Sequence, residues 1–451
     1  MHIPRLVIGL LVFFVTSCKA DPYDDFIKKF TDNYNAQNFA ASYDLAAESF
    51  QKQITKAYFT EILTGTFATA GKINDHKVVQ SNNGGKVFQL NCERGALALT
   101  VMLDADGKAS GLLIRPVDNP SEGGVQGQIN KWKANTTNAG LVIGKLKDGK
   151  VDIQYLGVAN KETSAPLTAE SIFEIGSISK PFTGILLHLL TAEGKISLND
   201  PVNKYLPKDH QLPKVNDKDI ITRNLVTHSA CLPRMPGNFH TPQDEMTNPY
   251  RHYSEKDLLD FLPGAPVADC TLFGSPTYSN LGAGLMGYIL TRVSGKSYAE
   301  LFNQGIAQPL GTRSFGIDGE SDKWTSGHTP SGVFQSRWDF TDALVGAGGV
   351  DASAEDLVKV LKFLMSPDRS PLGKAVSAST TLKLMNSQGG IGTFWARQPS
   401  GQKTIIWHNG MTGGYNAFIG WIEGTQTGVF VLSNNGVDAS TGLGVAMLNE
   451  Q

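Results

Sequence analysis

The chain has 451 residues, a length that exceeds one ordinary domain and predicts two or three. A hydrophobic content of 41% and a charged content of 18% are sufficient for packed cores, which excludes wholesale disorder. With a formal net charge of -2 and no cluster of Lys or Arg, the chain lacks the basic surface that nucleic-acid binding requires.

The N-terminus is typical of an exported protein. Residues 6–15 are an apolar run that is too short to span a bilayer but matches the core of a signal peptide. Small residues precede Cys18, as in a bacterial lipoprotein cleavage site, so residues 1–18 are predicted to be a signal peptide with its lipobox, in which cleavage before Cys18 makes this cysteine the lipidated first residue. Ordinary cleavage beside an incidental cysteine is the alternative. Either way we expect a periplasmic or cell-surface protein, whose only membrane contact would be an N-terminal lipid.

Residues 21–115 are predicted to form a small α+β domain. Apolar residues between 26 and 34 have helical spacing, and the later segments 97–103 and 111–114 flank a turn at 104–107, which predicts a β-hairpin. The two aspartates of that turn lack the other ligands of a calcium loop, so we interpret them as turn residues. A stretch rich in Pro and Gly follows, and residues 116–126 are predicted to be a linker.

Residues 127–451 are predicted to form a second domain with strands at both of its ends. Segments 141–144 and 151–158 flank an Asp-Gly turn, and 417–421 and 428–432 form another predicted hairpin before a helical tail. Strands at both ends predict one sheet assembled from both ends of the domain, with a helix-rich middle that packs on it or forms a lobe.

A serine and a lysine three residues apart, Ser177 and Lys180, begin an apolar run at 182–190. If that run is a helix, the two side chains share a face. Serine is a weak nucleophile until a neighbour takes its proton, and a lysine can do so only when its pKa is lowered by burial or nearby cations. The alternative is an ordinary helix start, with Ser177 as cap and Lys180 in solvent.

Three further motifs favour the catalytic interpretation: Tyr278-Ser279-Asn280, His408-Asn409-Gly410, and residues 228–233 with the sequence His-Ser-Ala-Cys-Leu-Pro. In this order, and together with segments 194–202 and 346–350, they resemble the serine hydrolases of the class C β-lactamase and penicillin-binding-protein family over roughly residues 130–445. The resemblance implies a mixed α/β chain with the β-lactamase/transpeptidase-like fold, in which an antiparallel sheet is flanked by helices and joined by a helical lobe.

The resemblance also implies catalytic roles. Ser177 would attack a carbonyl to form an acyl-enzyme, while Lys180 and Tyr278 share its proton and Tyr278 passes it to the leaving group. Which of the two is the base stays open. Because a tyrosine has an ordinary pKa of about 10, neighbouring cations such as Lys180 would have to lower it for Tyr278 to act as a base.

Substrate contacts are implied for four more residues. Asn280 would hydrogen-bond the substrate amide or Lys180, and His408 would bind the substrate from its strand. The backbone N–H of Met411, with that of the nucleophile, would form the oxyanion hole. Gly410 would let the strand approach the ligand closely.

The chain departs from the family pattern at two positions. Class C β-lactamases usually carry lysine at the position of His408, and a histidine is charged only conditionally near pH 7, so efficient antibiotic breakdown is not expected. Cys231 stands where relatives often have glycine. Export permits disulfides, and we expect Cys231 to pair with Cys270, which leaves Cys92 unpaired; buried free thiols are the alternative.

The sequence does not support any other functional motif. Residues 282–287 match Gly-x-Gly-x-x-Gly, but Pro276 interrupts the preceding stretch, so we predict a closely packed helix rather than a dinucleotide site. The sequence has no His-Glu-x-x-His, Cys-x-x-Cys or Gly-x-Ser-x-Gly motif, and we expect neither a metal nor a cofactor.

The sequence therefore predicts an exported serine hydrolase that acts through an acyl-enzyme on Ser177. Its expected substrates are small molecules or peptides with amide bonds, such as D-amino-acid or cell-wall-type peptides. An esterase or a weak β-lactamase is the alternative within the same chemistry. A penicillin-binding sensor or scaffold that is acylated without turnover is the alternative of a different class. No protein partner is indicated.

Overall fold

The computed structural model describes residues 21–51, 56–82, 85–116, 124–135, 137–239, 247–267, 274, 276–317, 319, 321–381, 384–386, 389–436 and 439–451. The predicted signal peptide with Cys18, and also Cys270, lie outside these residues. None of the described helices combines the length and the apolar character that a bilayer-spanning segment requires.

The N-terminal unit consists of helices followed by a sheet. Asp21 caps the first helix by accepting a hydrogen bond from the Tyr23 N–H at 3.0 Å, and Pro22 occupies the first turn, where no N–H is needed. The helices are α1 (Pro22–Asn35), α2 (Phe39–Tyr43), α3 (Glu48–Gln51) and α4 (Lys56–Ala70), and the antiparallel strands, in spatial order, are β1 (Ile73–Asn82), β2 (Gly85–Cys92), β3 (Gly95–Leu103) and β4 (Ala109–Pro116).

The predicted hairpin in this unit is confirmed, since β3 pairs with β4. Asp104 sits in its turn and accepts hydrogen bonds from the backbone N–H groups of Asp106 and Lys108, at 3.0 and 2.9 Å, as expected of a turn residue. Buried side chains of the helices and the sheet, including Phe30, Tyr34 and Leu99, form one hydrophobic cluster.

The larger unit contains the remaining elements. Its helices are α5 (Gly124–Ala134), α6 (Ser179–Ala192), α7 (Thr222–Val226), α8 (Glu255–Phe261), α9 (Asn280–Ser294), α10 (Tyr298–Phe302), α11 (Gln308–Leu310), α12 (Val345–Gly348), α13 (Ala354–Met365), α14 (Pro371–Thr381) and α15 (Ser440–Asn449). Helix α5 begins at Gly124, so the last three residues of the predicted linker, 124–126, are helical.

Most strands of this unit belong to a nine-stranded sheet in which every neighbouring pair is antiparallel. In spatial order they are β13 (Leu384–Asn386), β14 (Gly389–Ile391), β15 (Ala396–Ser400), β16 (Lys403–Met411), β17 (Asn416–Ile422), β18 (Thr427–Ser433), β5 (Gly140–Lys147), β6 (Lys150–Asn160) and β7 (Ala165–Pro166). The C-terminal strand β18 pairs with the N-terminal strand β5, so both predicted hairpins and their union in one sheet are confirmed.

Two small sheets complete the unit. One consists of β8 (Ile172–Glu174), β12 (Val350–Ser353) and β9 (Gly316–Ile317), and the other of β10 (Gly327–His328) and β11 (Phe334–Gln335). The β8–β12 pairing is important for the site because β8 leads directly to Ser177.

The central strands β17 and β18 of the large sheet are buried on both faces. Alternate residues of β18 point to opposite sides, as the two-residue period of a strand requires. Val429 and Val431 join a cluster with α5 and α15, whereas Phe430 and Leu432 join the main core with α6, α9 and α13.

The glycine-rich segment 282–287 lies inside helix α9, as predicted. A Cβ added to Gly287 would lie 3.1 Å from the Cα of Gly346 in α12, so small residues let these two helices approach closely. This close contact places α12 beside Lys180, whose amine it contacts through the Ala347 carbonyl.

Candidate active site

Ser177 lies in a short 3-10 helix, Gly176–Ile178, which leads into α6. Two hydrogen bonds of the Ser179 hydroxyl fix this turn. The hydroxyl donates to the Gly176 carbonyl at 2.6 Å and accepts from the Val350 N–H at 2.9 Å. Helix α6 has no side-chain cap, so the interpretation of Ser177 as an ordinary helix cap is wrong. The Ser177 side chain is instead partly exposed to solvent.

Lys180 is completely buried beside this serine. Its Nζ donates to Ser177 Oγ at 2.8 Å and to the Ala347 carbonyl of α12 at 2.6 Å. It forms no ion pair with a described carboxylate. Burial, together with the guanidinium of Arg234, lowers the pKa of Lys180 well below its ordinary value, which favours the neutral amine that can accept a proton. The alternative of a solvated lysine is wrong.

Tyr278 approaches the same oxygen from another direction. Its hydroxyl donates to Ser177 Oγ at 2.8 Å, and Lys180 Nζ lies 4.9 Å from its ring centroid. Burial raises the pKa of Tyr278, although the charge of Arg234 and the bond to Ser177 act in the opposite direction. The lowered pKa that Tyr278 would need to act as a base is therefore not found, because burial outweighs the charge of Arg234. Tyr278 remains a phenol, which suits a proton donor better than a base.

Loop 228–235 holds the Tyr-x-Asn segment in place. The His228 carbonyl accepts from the Thr277 N–H at 2.6 Å, and His228 Nδ1 accepts from the Ser279 N–H at 3.2 Å. The imidazole ring centroid lies 4.6 Å from that of Tyr278. In the sequence, His228 is part of a family motif without a predicted role of its own, but in the structure it positions the tyrosine.

Asn280 begins helix α9, and its Nδ2 donates to the Met235 sulfur at 3.4 Å. Its Oδ1 is buried without a hydrogen-bond partner. A buried amide oxygen with no partner is costly, and a ligand N–H would satisfy it. The structure does not bring Asn280 into a hydrogen bond with Lys180.

His408, Gly410 and Met411 lie on β16, which runs past Ser177. A Cβ on Gly410 would overlap the Ile175 carbonyl and lie 2.9 Å from the Ser177 nitrogen, and a Cβ on Gly176 would lie 2.8 Å from the Met411 nitrogen. The two predicted oxyanion-hole segments are thus in direct contact, and only glycine fits between them.

His408 is buried and neutral. Burial, together with the charge of Lys180, lowers the pKa of His408 to about 3, although its Nδ1, 2.5 Å from the Asn409 carbonyl, acts in the opposite direction. A charged imidazolium that binds a substrate carboxylate is therefore not available at neutral pH. The neutral ring can still exchange hydrogen bonds with a ligand.

Glu174 is a buried carboxylate near the end of β16, and it was not predicted from the sequence to be part of the site. Glu174 accepts hydrogen bonds from the Thr412 hydroxyl at 2.6 Å and from the Trp338 N–H at 2.5 Å. It therefore connects the segment before Ser177 to the residue after Met411. Burial raises the pKa of Glu174 to about 7, despite these two bonds and the charge of Arg337.

Cys231 is disulfide-bonded, so the alternative of a free thiol is wrong for this residue. Its expected partner, Cys270, lies outside the described residues, and the pairing stays a prediction. Cys231 has a φ of 61°, in the left-handed region that glycine favours. The backbone thus keeps a glycine-type conformation where relatives often have glycine. Cys92 is free and buried.

No group of three or more His, Cys, Asp or Glu side chains suited to a metal ion occurs in the described part of the chain. The candidate site combines a serine hydroxyl, a buried amine, a phenol and a pair of backbone N–H groups. This arrangement can carry out acyl transfer.

Comparison with known proteins identifies the family. The family model described as Beta-lactamase matches residues 130–447. The chain belongs to the beta-lactamase family. It is a member of this group of serine hydrolases and has the β-lactamase/transpeptidase-like fold that the sequence predicts.

Relatives within the family carry different names. A Beta-lactamase of Pseudomonas fluorescens is 26% identical over 339 residues, which cover 66% of this chain and 88% of that protein. The D-alanyl-D-alanine-carboxypeptidase/endopeptidase AmpH of Escherichia coli K12 is 28% identical over 290 residues, which cover 58% and 71% of the two chains. The crystal structure of a Beta-Lactamase/D-Alanine Carboxypeptidase from Pseudomonas syringae superposes with a TM-score of 0.62 at 22% identity, covering 72% of this chain and 97% of that one. The family is thereby established, and the substrate is a separate question.

Proposed function

We propose that this beta-lactamase-family protein hydrolyses amide bonds of D-amino-acid or cell-wall-type peptides through an acyl-enzyme on Ser177. One observation carries the proposal: Ser177 Oγ lies 2.8 Å from both the Lys180 amine and the Tyr278 hydroxyl, and Lys180 is buried with no described carboxylate to hold its charge.

In the proposed acylation step, the neutral amine of Lys180 takes the Ser177 proton as Oγ attacks the carbonyl carbon. The negative charge that develops on the carbonyl oxygen is stabilised by the N–H groups of Ser177 and Met411, each worth about 2.7–4 kcal/mol by analogy with other oxyanion holes. Tyr278 then protonates the departing nitrogen and recovers its proton from Lys180.

Deacylation reverses these roles. Water attacks the acyl carbon and gives its proton to Lys180. The Ser177 oxygen then leaves with a proton that Lys180 and Tyr278 return to it. Each turnover therefore consumes one water and restores Ser177, Lys180 and Tyr278 to their starting protonation states. No cofactor enters any step.

The choice of peptides over β-lactams is supported by His408. Its neutral, buried imidazole replaces the lysine that class C β-lactamases usually carry, and AmpH, one of the relatives, is named a carboxypeptidase and endopeptidase. The AmpH name describes that protein, and it supports the proposal only by similarity.

A substrate panel tests the proposal. Purified protein is given D-Ala-D-Ala peptides, D-amino-acid amides, nitrocefin and short p-nitrophenyl esters, with Ser177→Ala as the control for contaminating activity. We expect the highest kcat/KM on the D-peptides. Turnover of nitrocefin or of the esters alone would replace the proposal with a β-lactamase or an esterase. Stable acylation by penicillin with no turnover of any substrate would indicate a sensor.

We also propose that the protein is exported and anchored through Cys18, as its N-terminal sequence predicts. In a bacterial host, labelled palmitate should be incorporated into the wild type and not into Cys18→Ala. Equal fractionation of both proteins with the membrane would contradict the anchor.

A further inference from the structure

Arg234 lies beside the proposed proton donor. Its guanidinium carbon is 5.0 Å from the centroid of the Tyr278 ring. Its backbone carbonyl accepts from the N–H groups of Asn280 and Leu281, at 2.9 and 3.2 Å, which fixes its loop to the start of α9. The side chain itself is exposed and pairs with no described Asp or Glu. A fixed backbone thus presents an exposed guanidinium beside Tyr278.

Arg234 is also the basic residue of the site that keeps its charge. Burial lowers the pKa of Lys180, His228 and His408, so all three favour their neutral forms. A guanidinium stays protonated in proteins. Of these four basic side chains, only Arg234 offers a permanent positive charge to a bound molecule.

We propose that Arg234 binds a carboxylate on the substrate close to the scissile bond, and that it gives the enzyme its preference for substrates with a free carboxylate. The planar fork of a guanidinium matches the two oxygens of a carboxylate, and such charge-assisted pairs are among the stronger hydrogen bonds. Arg234 thereby supplies the charge that neutral His408 does not. This inference rests on the proposed acyl transfer at Ser177.

A purely electrostatic role for Arg234 has a different signature. Its positive charge contributes to the lowered pKa of Lys180, so its removal would raise that pKa and shift the acidic limb of the pH–rate profile. That effect would be the same for every substrate. Carboxylate recognition, in contrast, changes the ratio between a charged substrate and its neutral analogue.

The test measures the rate at which Ser177 is acylated by benzylpenicillin, which has a free carboxylate, and by its methyl ester, which has none. Intact-protein mass spectrometry follows the adduct in wild type, Arg234→Gln, Arg234→Lys and the exposed control Arg369→Gln. We expect wild type and Arg369→Gln to prefer the carboxylate form. Arg234→Gln should lose about tenfold to a hundredfold of that preference, the range for a hydrogen bond to a charged group. Arg234→Lys should retain part of it.

Equal slowing of both reagents in Arg234→Gln, or no preference in the wild type, would overturn the inference. The peptide substrates separate this result from the proposed function. If D-peptides are not hydrolysed while the carboxylate preference is present and depends on Arg234, the proposed peptidase activity fails and the role of Arg234 stands.

Discussion

Replacing Glu174 with glutamine should stabilise the protein, and by more as the pH rises. The carboxyl is buried, with a pKa raised to about 7 from an ordinary value of 4.5. The folded state therefore binds this proton more tightly than the unfolded state does. A group with a raised folded pKa contributes stability that is fully present below the unfolded pKa and is lost as pH rises to the folded pKa.

The size of the effect on stability follows from the ordinary and the folded pKa of Glu174. Each pH unit between them is worth about 1.4 kcal/mol, so the wild type should lose about 3 kcal/mol of unfolding free energy between pH 4.5 and pH 7. Glutamine does not ionise, so the variant should not lose this unfolding free energy as the pH rises. The glutamine can still accept from the Trp338 N–H, while its amide group donates to the Thr412 hydroxyl, which can accept as well as donate.

The assay is urea denaturation at pH 5 and pH 8, followed by tryptophan fluorescence. All six tryptophans lie beyond residue 130, so the signal reports the hydrolase unit alone. We expect the difference in unfolding free energy between Glu174→Gln and wild type to grow by about 2–3 kcal/mol from pH 5 to pH 8. Glu162→Gln, which changes an exposed carboxylate, should show no such trend. A difference for Glu174→Gln that is the same at both pH values would refute the reasoning.

Three further predictions concern the site. Gly410→Ala should lower kcat about 10²–10³-fold, because its Cβ would push β16 away from the nucleophile and open the oxyanion hole; steady-state kinetics should show no loss for Gly316→Ala, a strand glycine with open space around it. Tyr278→Phe should lower kcat on amides about 10²–10⁴-fold and have a smaller effect on p-nitrophenyl esters, whose leaving group needs no proton; equal losses on both would contradict the role of proton donor. Non-reduced peptide mapping should find Cys231 joined to Cys270, and a free thiol at either position would contradict the pairing.

Local patterns made part of the fold and site predictable. The β5–β6 and β17–β18 hairpins follow from apolar segments around short turns, and the contact of Lys180 with Ser177 follows from their i, i+3 spacing at a helix start. The order of the motifs then indicated which distant segments belong to one site.

The rest depends on contacts between residues far apart in the sequence. Arg234 reaches the Tyr278 ring, and Glu174 reaches Thr412, only because segments far apart in the chain pack together. The protonation of Tyr278 could not be predicted for the same reason. Both the burial that raises its pKa and the charge of Arg234 that acts in the opposite direction come from residues far from it in the sequence.

The central claim is that Ser177 is the nucleophile. Its most direct test is peptide mapping by mass spectrometry after brief exposure to benzylpenicillin, in wild type and in Ser177→Ala. We expect a single acyl adduct on the peptide that contains Ser177, and none on the variant. An adduct on another residue, or equal labelling of Ser177→Ala, would contradict the assignment.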